Sequence, residues 1–307
     1  MHMEMVRNQG VIQPKGFPGL PEGWRSETET ILSADGNKKL FLFKWSQDAI
    51  SSPATLLIIH GMGEHSGRYI HVPHYVQNQI GTVFALDLRG HGRSEGIRGH
   101  VDRFDEFADD VEGVIRKIET DSVKKWGRSE IHLLGHSMGG LVVLRTLLKR
   151  SQLPLKSVIV SAPLLGVKVP LGVAKRAAAH LLSHVYSTIQ LDSEVNPKVL
   201  SHDPSVGEAY LADRLVHSKG TPKMYTEMLK AIDATLKDAS GFEFPLMAIL
   251  PGQDQVVDTE VSKVYFEGLQ NTKKTIKIYN DFYHESFNEL GKEKAFEDLC
   301  EFIKEQS

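Results

Sequence analysis

Short, nearly uninterrupted apolar runs recur along the chain, and between them apolar residues return at helical spacing. The runs are Thr28–Leu32, Leu40–Phe43, Leu56–Ile59, Val83–Leu86, Ile131–Leu134, Val158–Val160, Leu246–Leu250 and Thr275–Ile278. Most lack the in-out alternation of a half-exposed strand, so they predict strands covered on both faces, as in a largely parallel sheet. The first two are separated by Asp35-Gly36, a hairpin-turn signal. Phe104, Phe107, Val111, Val114, Ile115 and Ile118 form one helical stripe. Leu141, Leu144, Leu147 and Leu148 form a second, and Phe296, Leu299, Cys300 and Ile303 a third. Alternation of this kind predicts an α/β fold, with a mostly parallel central sheet flanked by helices.

The rhythm breaks over about 164–241, a stretch with no clear strand that reads as helical. Strands resume at Leu246, so this stretch is an insertion into one domain over 28–307 rather than a second domain. Ahead of that domain, 1–27 reads as an irregular arm, because Gly10, Gly16, Gly19, Gly23, Pro14, Pro18 and Pro21 disfavour regular structure.

Composition narrows the function classes. Lys and Arg number 36 against 39 Asp and Glu, a net charge of −3 that argues against a nucleic-acid partner. No apolar run approaches the roughly 18 residues needed to span a bilayer. Met1–Gly10 lacks an apolar stretch of signal-peptide length, so secretion by the ordinary route is not expected. A single cysteine, Cys300, excludes an internal disulfide and a Cys-rich metal cluster and fits a cytoplasmic protein. On its helical stripe Cys300 reads as a packed core thiol rather than a nucleophile.

Chemistry is concentrated in Ile131–Leu141, where a strand run meets Gly135-His136-Ser137-Met138-Gly139 and then a helical stripe. Gly-x-Ser-x-Gly in that context is a nucleophile elbow: a sharp turn lifts the serine hydroxyl above the sheet edge, and flanking glycines leave room for the turn. The following helix aims its first N–H groups at the same point, where they favour a developing negative charge. A serine needs a base held by an acid, and in this fold they follow in the order serine, acid, histidine. Of the 14 histidines only His284 lies late enough, in the turn after Thr275–Ile278. The acid belongs after Leu246–Leu250, where Asp254 occupies a tight turn. Asp258 is the alternative, although it reads more readily as the N-cap of the next helix. An oxyanion hole needs two N–H donors, one from Met138 and one from the turn His60-Gly61-Met62-Gly63, with Met62 the donor expected. Activity should rise through a pKa of roughly 6–7 as His284 becomes neutral.

Two other histidine pairs have plainer readings. His180 and His184 are four apart, but no Glu follows His180, so the hydrolytic zinc motif is absent. His71 and His74 read as helix-surface residues.

With these residues in place the chain resembles the α/β-hydrolase superfamily over about 28–305, and within it the monoacylglycerol lipase and lysophospholipase group. Three segments carry the likeness: His60-Gly61-Met62-Gly63-Glu64-His65-Ser66-Gly67-Arg68-Tyr69, Asp87–Gly96 and Gly135–Gly140. Ser161-Ala162-Pro163 and Tyr283-His284 also match. The resemblance implies an α/β-hydrolase fold in which the insertion is a helical cap over the site, with an apolar lip toward lipid. Leu171, Ala174, Ala178, Leu181, Leu182, Val185 and Ile189 fall on one helical face, with Lys168, Lys175 and Arg176 nearby. Such a face suits either transient contact with a membrane surface or packing on the core. The resemblance further implies that Glu64, Arg68, His136 and Tyr210 meet a glycerol-like head group. Glu64 and Arg68 also have the spacing of an i,i+4 ion pair at a helix start. Mammalian members carry a second histidine three residues beyond the catalytic one, where this chain has Phe287.

The expectation is a serine carboxylic-ester hydrolase acting on lipid monoesters, with no metal or cofactor, cytoplasmic and able to sit at a membrane periphery. The rivals are a lysophospholipase, a general carboxylesterase or a peptidase with the same triad, and a non-enzymatic lipid-binding protein on a hydrolase scaffold.

Overall fold

Runs too uniformly apolar to leave either face in water end up inside one sheet. The computed structural model describes residues 10–47, 52–150, 152–168, 173–192 (backbone only for 173–178), 196–238, 243–270 and 273–306. The sheet strands are β1 (Trp24–Leu32), β2 (Lys39–Gln47), β3 (Ala54–Ile59), β4 (Thr82–Leu86), β5 (Glu130–His136), β6 (Leu155–Ser161), β9 (Leu246–Pro251) and β10 (Lys274–Tyr279). They lie in the order β1-β2-β4-β3-β5-β6-β9-β10. β1 and β2 form the expected antiparallel hairpin, and β2 is antiparallel to β4. Every pairing from β4 through β3, β5, β6 and β9 to β10 is parallel.

Helices α1 (Val72–Val76), α2 (Asp105–Trp126), α3 (Met138–Lys149), α7 (Thr259–Gly268) and α8 (Lys292–Glu305) cover the sheet. The alternation of β3 separates the two cores: Leu57 and Ile59 join the apolar cluster of α2, α3 and α7, while Leu56 and Ile58 join that of α1 and α8. α2 ends at Gly127, a left-handed cap that donates to Val123 O. Cys300 on α8 is half-buried, and burial pushes its thiol up to about 11, away from thiolate chemistry.

One boundary differs from expectation. β1 starts at Trp24 rather than at residue 28, because β2 runs on to Gln47 and gives Trp24–Glu27 partners. The arm ahead of it is irregular but not loose: Val11 is buried and the Phe17 ring meets His71 edge-on at 5.2 Å. Residues 1–9 lie outside the described residues.

Between β6 and β9 lie α4 (Val173–Val185), β7 (Leu191–Asp192), a 3-10 turn (Pro197–Val199), α5 (Pro204–Ala212), β8 (Lys219–Gly220) and α6 (Pro222–Lys237). The stretch is helical as expected, but β7 and β8 pair antiparallel within it. Two residues per strand are too few for a periodic signal. α5 and α6 begin at prolines capped by Asp203 and Thr221. α4 ends at Val185, so Ile189 lies beyond the helix on which the apolar stripe placed it. Leu171 and the side chains of Ala174, Lys175, Arg176 and Ala178 fall outside the described residues.

Candidate active site

β5 delivers Ser137 to the C-terminal edge of the sheet, and α3 leaves at once from Met138. Ser137 has φ 53° and ψ −120°, a conformation a side-chain-bearing residue holds only when its surroundings enforce it. Its N–H donates to Ser161 O at 2.9 Å, and its carbonyl accepts from Leu164 N at 3.0 Å. A Cβ on Gly139 would lie 2.2 Å from Ile59 O, and one on Gly135 would lie 2.5 Å from Gly139 O. Only glycines let α3 press this closely on β3 and keep the turn tight. As the first residue of α3, Met138 has an N–H without an intrahelical acceptor.

The turn after β9 carries Asp254, and the loop after β10 carries His284. Gly252 N donates to Tyr279 O at 2.7 Å and Gln253 N to Phe282 O at 2.9 Å, which fixes turn against loop. His284 Nδ1 lies 2.7 Å from Asp254 Oδ2. The carboxylate can only accept, so the imidazole proton sits on Nδ1 and Nε2 is left as the basic nitrogen. Asp254 Oδ1 accepts from Val256 N at 2.7 Å and Val257 N at 2.9 Å. Burial works to raise the Asp254 carboxyl, but His284 and these N–H groups outweigh it and hold the pKa below the usual range. Burial works to lower His284, yet the charge and hydrogen bond of Asp254, helped by Glu285 and Glu64, raise it above its ordinary value. Asp258 instead caps α7, accepting from Glu260 N at 3.1 Å.

The turn after β3 is pinned by His60. Its Nδ1–H donates to Gly61 O at 2.7 Å and its Nε2 accepts from Leu88 N at 3.0 Å, leaving the ring neutral, as burial also favours. Gly61 N–H is committed to Glu64 Oε1 at 2.5 Å. Gly61 and Met62 line one cavity with Ser137 and His284.

The side chains lining that cavity are of two kinds. Leu164, Val167, Leu200, Met228 and Val256 are apolar, and most of these come from the segment between β6 and β9. Glu64, Arg68, His136, Tyr210 and Glu285 are polar or charged. The Glu64–Arg68 pair forms at 2.5 Å, but it is buried rather than set on a helix surface, and it has a third member. Glu285 receives both terminal nitrogens of Arg68 at 2.8 Å. Sequence reading missed Glu285, whose one signal was a second acid directly after His284. Burial raises the Glu64 carboxyl, but the Arg68 guanidinium and the Gly61 N–H bring it down to about 2. Burial lowers Arg68, but Glu285 and Glu64 raise it further, so the guanidinium stays charged. The His136 ring lies tilted at 55° to the His284 ring, centroids 4.8 Å apart; burial and the His284 charge lower it to about 4, so it is neutral. The Tyr210 ring lies 5.2 Å from the Arg68 guanidinium.

Phe287 does not line this cavity; it is buried against Phe296, with ring centroids 4.8 Å apart. His71, read as a surface residue, is buried, with Nε2 3.1 Å from Phe287 O. The arm and α8 cover it, a tertiary effect its local sequence does not carry. His180 and His184 meet at 4.8 Å, and among the described residues no third ligand-type side chain joins them.

Residues 51–291 match the family described as Serine aminopeptidase, S33. The chain is 30% identical to the monoglyceride lipase of Mus musculus over 85% of this chain and 84% of that protein. It is also 30% identical to Phospholipase YtpA of Bacillus subtilis, over 82% of this chain and 95% of that protein. A further 30% match, to an uncharacterized abhydrolase domain-containing protein of Dictyostelium discoideum, covers 92% of this chain but 29% of that protein, so the chain spans under a third of that relative. Among solved structures, the monoacylglycerol lipase of Paleococcus ferrophilus superposes with a TM-score of 0.75 at 25% identity, over 92% of this chain and 99% of that one.

Proposed function

Because the chain belongs to the serine aminopeptidase S33 family of α/β hydrolases, we propose that it is a serine ester hydrolase of lipid monoesters, with monoacylglycerol as the substrate. The observation that carries this reading is the cavity itself. Ser137 and an Asp254-bound His284 share it with five apolar side chains and a charged polar cluster.

Ser137 Oγ attacks the ester carbonyl as His284 Nε2 takes its proton. Asp254 holds the ring and stabilises the cation. The oxyanion that forms accepts from the N–H groups of Met62 and Met138. His284 returns the proton to the departing glycerol oxygen, leaving an acyl-Ser137 ester. Water, deprotonated by His284, then releases the fatty acid and restores the serine. The acyl chain lies along Leu164, Val167, Leu200, Met228 and Val256, and the head group lies toward Glu64, Arg68, His136 and Tyr210. The insertion at about 164–241 acts as a cap, since it supplies much of the apolar lining.

A lysophospholipase is the second reading, favoured by the phospholipase name of one relative. The polar cluster weighs against it. Two carboxylates and one guanidinium leave that cluster net negative, and Arg68 is already held by both acids. A phosphate would have to displace those partners, whereas a neutral diol would not. Turnover of long-chain monoacylglycerol, lysophosphatidylcholine and an aminoacyl amide separates the readings. Monoacylglycerol is expected to give the highest kcat/KM, and preference for either other substrate rejects the assignment.

A further inference from the structure

Helix α5 is tied at each end to a different loop of the site. At its N-terminal end the connection runs to the loop that carries His284. Glu285 N donates to Leu200 O at 2.8 Å. Glu289, fully buried, accepts at Oε1 from His202 N at 2.9 Å and at Oε2 from His202 Nδ1 at 3.0 Å. The same Oε2 accepts from Tyr283 N at 2.9 Å, so one carboxylate joins the helix entry to the residue beside His284. The His202 and Tyr283 rings stack at 3.6 Å over this junction.

At the C-terminal end the connection runs to the oxyanion turn. Asp213, the C-cap of α5, accepts from His65 Nε2 at 3.0 Å, with both side chains buried. His65 Nδ1 accepts from Gly67 N at 3.1 Å, which puts the ring proton on Nε2, toward Asp213. Four residues on, His217 N donates to Gly63 O at 2.8 Å, next to the donor Met62. α4, by contrast, packs against α6.

We infer that α5 is a bracket that sets the spacing between the oxyanion donors and His284, with Asp213 and Glu289 as positioning residues at its two ends. The inference rests on the reading of Ser137, His284 and Met62 given above. Its physical basis is that oxyanion stabilisation and general-base transfer act on the same reacting carbon, so a drift between their loops costs rate; about 1 Å is worth on the order of 10²-fold. Both loops are also held independently of α5, the His60 turn by Leu88 in the loop after β4 and the His284 loop by Asp254 in the turn after β9, so losing the bracket loosens the spacing without dismantling either loop.

A bracket transmits only while both ends hold. Releasing either end therefore has the same effect as releasing both, and this separates it from two local stabilising contacts, whose losses multiply. The test is Asp213→Ala, Glu289→Ala and the double variant in the full chain, assayed on a soluble short-acyl nitrophenyl ester, with active sites titrated by fluorophosphonate. Each single variant is expected to lose about 10-fold in kcat per titrated site. KM should stay within about two-fold, affinity for a boronic acid transition-state analogue should fall by the same factor as kcat, and the double variant should lose no more than the singles. Asp213→Asn, which keeps an acceptor for His65, should recover near-full kcat. Multiplicative losses of about 100-fold in the double variant, or unchanged kcat per titrated site in the singles, overturn the bracket. If Glu289→Ala does not fold, His202→Ala weakens the same end from the helix side by removing the Nδ1 bond and the ring stack, and a smaller loss of kcat that adds nothing to Asp213→Ala is required of it. A folded wild-type chain that fluorophosphonate does not label overturns the Ser137 reading and the bracket with it; multiplicative losses in a labelled enzyme overturn the bracket alone.

Discussion

Ser137 is held in a backbone conformation that its own side chain disfavours, and the surroundings that hold it there are contacts between glycines and carbonyl oxygens. Glycine spacing is written in the sequence, which is why the elbow was legible there. Order along the chain likewise singled out His284 and the Asp254 turn. Glu285 was not legible, because a carboxylate in a loop has no period and its partner Arg68 lies far away in sequence. Its effect is electrostatic and measurable. The proposed mechanism needs neutral His284, and Asp254, Glu285 and Glu64 favour its charged form. Activity should therefore be lost as pH falls through a pKa above the ordinary histidine value of about 6.5. Glu285→Gln removes one of the charges responsible, so the acid limb of kcat/KM should move to lower pH. A limb below 6.5 in the wild type, or an upward shift in the variant, contradicts this electrostatic picture.

Among the elements, those with a long period were visible and those without were not. The stripes of α2, α3 and α8 and the apolar runs of the parallel strands appear where expected, because burial on a defined face requires that spacing. β7 and β8 left no trace, and the first residues of β1 became strand only because β2 extends past them. α4 was readable as amphipathic, but its surroundings were not. Leu182 is half-buried, but Leu181 is 67% exposed and Val185 63%, with Tyr186 and Leu191 also exposed nearby. An apolar patch of this kind suits a lipid surface, which is where a monoacylglycerol would be presented. Leu181→Asp with Val185→Asp should lower turnover of vesicle-borne monoacylglycerol several-fold, at about 3 kcal/mol or less per exposed side chain, and leave a soluble short-chain ester unaffected. Equal loss on both substrates would place α4 in the architecture of the site instead.

For the molecule as a whole, a net charge of −3 spread over ordinary composition excluded much but selected little. Selection came from topology. The parallel strands from β4 to β10 all end at the edge where Ser137, Asp254 and His284 lie, and the segment between β6 and β9 supplies Leu164, Val167, Leu200, Tyr210 and Met228 to the cavity lining. Distant parts of the chain thus supply the serine, the Asp254-bound histidine and the cavity on which the proposed mechanism rests, and among the described residues no helix is long and apolar enough to cross a membrane. Glu64, Arg68, His136 and Tyr210 follow from the resemblance, whereas Glu285, the three-membered ion network it completes and the α5 ties emerge only once remote loops are brought together. The most direct test is fluorophosphonate labelling of the folded full-length chain with the modified residue located by peptide mass spectrometry, paired with kcat on monoacylglycerol. Ser137 should carry the label, and Ser137→Ala should lose both the label and about 10⁴-fold or more of kcat. Labelling at another residue, no labelling of folded protein, or near-wild-type turnover by Ser137→Ala would contradict the assignment.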